Sequence, residues 1–264
     1  MKKMLEVLHH LKLPPWLIDC ALGKTEPPPF TFDMPTYYGY GFPPSVLPIW
    51  SSEDGPDYIA LLHHPFRNRQ TTFITFHIPS GSFTEFARTS DQLKVRVLYD
   101  LFCNAPEIEA VEEFAEKVGL CDREKLETYF EPYHTEEELA QHPSFIGCLP
   151  LELIESNREN YSGDFLEYES EIEKFCCFEV PEEKLMQQKN LLPTWFSTES
   201  QPQVFDEFLW KGDFTSAWFS LNSTGWKSSD MKIALQRLTD KSKNDYLQIL
   251  NSWIQTEIPS ESRY

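Results

Sequence analysis

Residues 107–184 hold 23 of the chain's 42 acidic residues and 6 of its 23 basic ones, a local net charge of −17 out of −19 overall. So dense a charge has few ways to fold. It is either arrayed on the outer faces of helices or left as a solvated tail. The apolar residues within it decide between the two. Ile108, Val111, Phe114, Ala115 and Val118 recur at spacings of three and four, and Leu126, Tyr129 and Phe130 follow. That is the period of one helix face. Glu109, Glu112, Glu113 and Glu116 fall largely off this stripe, toward solvent. The block is therefore expected to be a folded acidic helical region.

Local signals divide it further. One helix is expected over 105–118, with Pro106 near its start and Gly119 past its end. A second is expected over 122–130, capped by Asp122. A short third follows Thr135, with Glu138 at the capping-box spacing. Residues 143–163 are rich in proline and glycine and read as irregular, and 165–180 suits either a helix or a strand.

The flanks are nearly neutral, at −1 for 1–106 and −1 for 185–264. Residues 4–11 are expected to form a short amphipathic helix stopped by Pro14 and Pro15. Residues 16–22 add a turn or two before Gly23, and Pro27 to Pro29 form a stiff linker. A short helix or turn is expected after Pro44. Residues 57–62, 71–78 and 83–87 read as strands, rich in β-branched and aromatic residues. Ser90 or Asp91 is expected to cap a helix reaching Cys103, with Leu93, Val97, Leu98 and Leu101 on its buried side. In the last block, alternation at 204–210 and 214–221 brackets a tight hairpin turn or helix break near Gly212. Helices over 231–238 and 244–254 close the chain. The sum is an α+β fold, a mixed or antiparallel sheet packed against helices with an acidic helical middle. Residues 1–184 form one region, and 185–264 an α/β extension that is either separate or part of the same domain.

Composition excludes some functions. Hydrophobic residues at 41% and aromatics at 14% suffice for a sizeable core. A net charge of −19 argues against gripping nucleic acid or an anionic membrane through the overall charge. The long uncharged run from Met34 to Ser52 contains Pro35, Pro43, Pro44 and Pro48, so it is no membrane helix. No secretory leader is recognisable. The cysteines Cys20, Cys103, Cys121, Cys148, Cys176 and Cys177 show no C-x-x-C spacing and read as reduced thiols, which favours the cytoplasm.

Catalytic patterns are absent from the sequence. There is no G-x-G-x-x-G, no G-x-x-x-x-G-K, no H-E-x-x-H and no G-x-S-x-G, and only 10 glycines. His63 and His64 beside Arg67 and Arg69 suggest an anion or partner contact, or simply a basic loop between strands. Adjacent histidines on an extended chain point opposite ways and rarely share a metal. His134 and His142 flank an acidic run without recognisable ligand spacing, and Cys176–Cys177 reads as a core strand. Trp195, Trp210, Trp218, Trp226 and Trp253 crowd the last third, as core residues or as a binding surface. No catalytic residue, cofactor or metal is assigned.

One stretch carries a family likeness. Tyr38-Gly-Tyr-Gly-Phe-Pro-Pro-Ser-Val-Leu-Pro-Ile-Trp50, Gly55-Pro-Asp-Tyr-Ile59, Thr72-Phe-Ile-Thr-Phe76 and Phe86-Ala-Arg-Thr-Ser90 resemble the SUKH superfamily over about residues 35–105. That superfamily includes many bacterial immunity proteins that neutralise toxin domains. The resemblance implies an α+β fold, no catalysis, and binding of a cognate toxin. It supplies no contact residues, because the family's toxin contacts vary. The acidic block supplies the candidates: Glu109, Glu112, Glu113, Glu116, Glu136, Glu137, Glu138, Asp164, Glu167, Glu169, Glu171 and Glu173. The expected partner is a toxin with a basic active-site surface, not nucleic acid or membrane. The alternative is a non-enzymatic scaffold or regulatory adaptor for a cellular protein. An enzyme of unrecognised type would announce itself by a bound metal or nucleotide.

Overall fold

The β-branched and aromatic segments between residues 32 and 87 pair into one antiparallel sheet. The computed structural model describes residues 2–28, 32–33, 43–52, 57–68, 72–77, 82–154, 161–163, 201–223 and 226–257. Its strands are β1 (Phe32–Asp33), β2 (Val46–Ser52), β3 (Asp57–Leu62), β4 (Thr72–His77) and β5 (Ser82–Ala87), adjacent in chain order. Neighbours in such a sheet need only short connections. The β3–β4 ladder runs unbroken from Asp57 opposite His77 to Leu62 opposite Thr72. The β2–β3 register shifts between Pro48 and Trp50. A residue without an N–H is tolerated at such an irregularity.

Burial explains why these strands do not alternate cleanly in sequence. Ile59, Leu61 and Phe73 belong to the main apolar cluster. Tyr58, Ala60, Leu62, Ile74 and Phe76 point to the opposite face and are buried too. A sheet covered on both faces reads as nearly continuous apolar sequence.

The helices are α1 (Lys2–His10), α2 (Pro15–Ala21), α3 (Ser90–Asn104), α4 (Ile108–Lys117), α5 (Leu126–Phe130), α6 (Glu136–Leu139), α7 (Gln201–Lys211), α8 (Phe214–Leu221), α9 (Ser228–Ser242) and α10 (Asp245–Glu257). Short 3-10 turns cover Arg123–Lys125 and Leu151–Leu153. The fold is thus α+β. The first and last described helices meet: α1 packs on α10, and Lys3 Nζ donates to the Ser252 carbonyl at 3.2 Å. The loop after β3 reaches the C-terminal helices. Phe66 stacks against Phe214 and Trp218, and Asn222 Oδ1 accepts from Ser45 N at 2.6 Å. One apolar cluster runs from Met4 to Ile254.

Expectations change in the C-terminal block and at the cap of α3. Residues 204–210 and 214–221 lie in helices α7 and α8, not in alternating strands, so the described C-terminal residues are helical rather than α/β. In α7 the fully or nearly buried residues are Gln201, Phe205 and Leu209, four apart, a period the local alternation masks. Gly212, at φ +77°, then turns the chain into α8, where the Asp213 carboxylate caps by accepting from Ser216 N at 3.1 Å. At α3 the cap is Thr89, one residue before the expected Ser90, and its hydroxyl accepts from Gln92 N. The segment after Pro44 makes a turn, one of the two expected forms, and then enters β2 at Val46.

Candidate partner-binding surface

Helix α4 presents its acids as its sequence period requires. Val111, Phe114 and Ala115 are buried, while Glu109, Glu113 and Glu116 are exposed and Glu112 is half-buried. The apolar stripe starts one turn later than expected, because Ile108 is 43% exposed. Gly119, at φ +69°, ends the helix. Its N–H donates to the Glu116 carbonyl, and Leu120 N–H donates to that of Ala115. These are the two closing bonds of a Schellman motif.

The four acids of α4 are not equivalent. Arg123, from the following 3-10 turn, places Nη1 3.0 Å from Glu113 and Nε 3.7 Å from Glu112. This internal cation offsets part of the charge, though a pair so open to water adds little stability. Glu109 and Glu116 meet no cation among the described residues.

In α6, Glu136, Glu137 and Glu138 are exposed, and Glu136 and Glu138 meet named partners. Thr135 Oγ1 accepts from Glu138 N at 3.2 Å, and the Glu138 carboxylate accepts from His134 N at 2.6 Å. The box closes one residue further back than its usual form. Glu136 lies 3.6 Å from Arg96 Nη2. Asp164, Glu167, Glu169, Glu171 and Glu173 lie outside the described residues, as do Cys176, Cys177, Trp195 and Arg69.

Behind this surface lies a buried polar row that the composition gave no reason to single out. Gln92, Arg96 and Asp100 sit four apart on α3, a helix whose Leu93, Val95, Val97, Leu98 and Leu101 are also buried. A helix enclosed nearly all round must satisfy its polar row internally. Gln92 Oε1 accepts from Arg88 N at 2.8 Å, and its Nε2 donates to the carbonyls of Ser144 at 2.9 Å and Cys148 at 2.7 Å. Arg96 stacks 4.1 Å from the Phe86 ring and donates through Nη1 to the Phe86 carbonyl at 3.2 Å. The same Nη1 lies 3.3 Å from Glu152. Asp100 is partly exposed as a residue, but packing strips water from its carboxyl and pushes it up to about 7. Arg96 opposes that rise, while Glu152 and Glu136 reinforce it.

A second buried cluster anchors the strand before α3. Glu85 Oε1 accepts from the Tyr161 hydroxyl at 2.7 Å and from Leu151 N at 3.3 Å. Arg88 donates to the Ser162 hydroxyl at 3.0 Å and to its carbonyl at 3.1 Å, with Tyr161 beneath the guanidinium. The clue in the sequence was polar residues at core positions, Glu85 in a strand and Gln92 and Arg96 at a spacing of four.

The other candidates resolve as structure. His142 Nδ1 accepts from Ser144 N at 3.1 Å, which leaves the proton on Nε2, 2.9 Å from the Tyr129 hydroxyl. Burial lowers its pKa, so it is held neutral. No three His, Cys, Asp or Glu side chains gather for a metal among the described residues. His64 is buried 4.7 Å from the Phe219 ring, and Arg67 stacks on that same ring at 5.2 Å. The His63–Arg67 loop thus fastens the sheet to α8. Burial pushes the Cys20 thiol up to about 12 and raises Cys103 and Cys121, the reverse of an activated nucleophile. Trp218, Trp226 and Trp253 are core, whereas Trp210 is 82% exposed.

Among the described residues no helix is long and apolar enough to cross a membrane. No protein-family model, curated protein or solved structure matches the chain.

Proposed function

We infer that this chain is a non-catalytic inhibitor of the immunity-protein class, acting in the cytoplasm by docking the acidic faces of α4 and α6 on a basic toxin. The observation that carries the reading is the placement of Glu109, Glu113 and Glu116 in solvent on a helix whose other side is buried. Acids fixed on a folded support lose less entropy on binding than acids on a loose tail. Residues 107–154, all described, hold 13 acids and 3 bases, and that local excess makes a directional field. Such a field speeds encounter with a basic partner and rejects acidic ones. Enzymes that act on anionic substrates carry basic active sites, so an acidic surface competes for the same ground. The motifs around Trp50 and Phe86–Ser90 that resemble the SUKH superfamily supply the class of role. Residues Tyr38 to Phe42, Gly55 and Pro56 of that resemblance lie outside the described residues, and the others fall on β2 to β5, the turns beside them and the start of α3.

Capture with the tagged chain, washed at low and at high salt and read by mass spectrometry, tests the proposal. The expected result is one stoichiometric partner with a basic domain, released by salt, whose activity is lost in the complex. Several ordinary cellular proteins held regardless of salt would replace it with the adaptor reading.

A further inference from the structure

Among the 13 acids of residues 107–154 stand three cations, Lys117, Arg123 and Lys125. Lys125 pairs with its neighbour Asp122. Lys117, the last residue of α4, is exposed and meets no carboxylate among the described residues. Arg123 is the one that reaches back onto the acids of α4. Gly119 turns the chain at the end of that helix, and the 3-10 turn Arg123–Lys125 then packs on it. Leu126 and Phe130, both fully buried, anchor the turn from its C-terminal side. The Arg123 side chain itself stays at the surface, 39% exposed. Its Nη1 lies 3.0 Å from Glu113, at hydrogen-bond length, whereas its Nε lies 3.7 Å from Glu112, beyond it. The guanidinium therefore spans two carboxylates and grips one. So open a contact contributes little to stability. What it does change is the face that α4 offers, because it occupies two of the four acids there.

We propose that Arg123 is an autoinhibitory cation on the α4 docking face, an internal stand-in that a basic side chain of the partner displaces. The inference rests on the docking reading and adds its regulation. Glu112 and Glu113 already hold a planar guanidinium in the free chain, so the same pair suits an arginine brought by a partner. Exchange is cheap, since the internal contact is open to water and one of its two arms is long. The buried Leu126 and Phe130 keep the turn in place when the Arg123 side chain swings out. The mask also sets a threshold. A single stray cation gains little over Arg123, which is tethered beside the pair and so present at high effective concentration. A partner that brings several cations engages Glu109 and Glu116 at the same time and wins the exchange.

Binding of a fluorescein-labelled deca-arginine peptide to the full chain, read by fluorescence anisotropy at low salt, tests the mask. Arg123→Gln should bind the peptide about five-fold more tightly than wild type. Lys117→Gln removes an equal charge from α4 without freeing an acid, so it measures the effect of net charge alone and should gain about two-fold at most. Glu113→Gln should weaken binding more in the Arg123→Gln background than in wild type, because only there is Glu113 unmasked. Far-UV circular dichroism should show the same fold for every variant, since each replaced side chain lies at the surface. Equal gains from Arg123→Gln and Lys117→Gln would overturn the mask. So would an equal loss from Glu113→Gln in both backgrounds. The salt-washed capture judges the docking reading and this cycle judges the mask, so each can fail without the other.

Discussion

Gln92 shows how one side chain carries two parts of the molecule. Its amide serves a strand-end N–H at Arg88 and two loop carbonyls, Ser144 and Cys148, more than fifty residues away. Gln92→Leu fills the same space but removes one buried and two part-buried hydrogen bonds. It should destabilise the fold by about 2–3 kcal/mol, read as a lower urea midpoint at unchanged slope. Asp100 acts on stability through pH. Its folded-state pKa is raised above the unfolded value of ~3.9, so the folded chain binds the proton more tightly. The stabilisation is complete below about pH 4 and is lost as pH rises through about 7. Wild-type stability should therefore fall between pH 5 and pH 8 by more than that of Asp100→Asn, and equal slopes would discount the carboxyl.

At the scale of elements, α4 is the piece that was plainest in the sequence. Its apolar spacing, Gly119 and the acids off the stripe all pointed one way, and the structure differs in starting the helix at Ile108 rather than 105, in exposing Ile108 and in half-burying Glu112. Gly119→Ala meets no clash, since nothing lies within 4 Å of the added carbon. Its cost is the left-handed backbone alone, about 1 kcal/mol, measurable as a modest drop in Tm. Strands β3, β4 and β5 were legible for a related reason: aromatic and β-branched runs bounded by turn residues have few other uses. Helices α7 and α8 were not. Phe205, Phe208 and Leu209 beside Val204 satisfy periods of two and of four over a short window, and only packing against α9 chooses between them. The polar row of α3 was equally hidden, because Arg96 resembles a surface residue until its depth is known. Acid counting likewise did not reveal that Arg123, Arg96 and His134 N–H already engage Glu112, Glu113, Glu136 and Glu138.

Over the whole molecule, charge and stability are kept apart. Helix α1 packs on α10, and the sheet is fastened to the C-terminal helices through Phe66, Ser45 and Asn244. The acidic helices add their apolar sides to that core and leave Glu109 and Glu116 outside it. Reversing these two to lysine should change stability by no more than about 0.5 kcal/mol by urea denaturation. It should nevertheless weaken the field on which the proposed function depends. The decisive measurement is the association rate with the captured partner as a function of ionic strength, for wild type and for the Glu109→Lys, Glu116→Lys double variant. The account predicts that the wild-type rate falls at least about ten-fold from low to high salt. It predicts that the double variant associates more slowly at low salt, with a flatter dependence. Identical rates and identical salt slopes for the two proteins would contradict the acidic docking face.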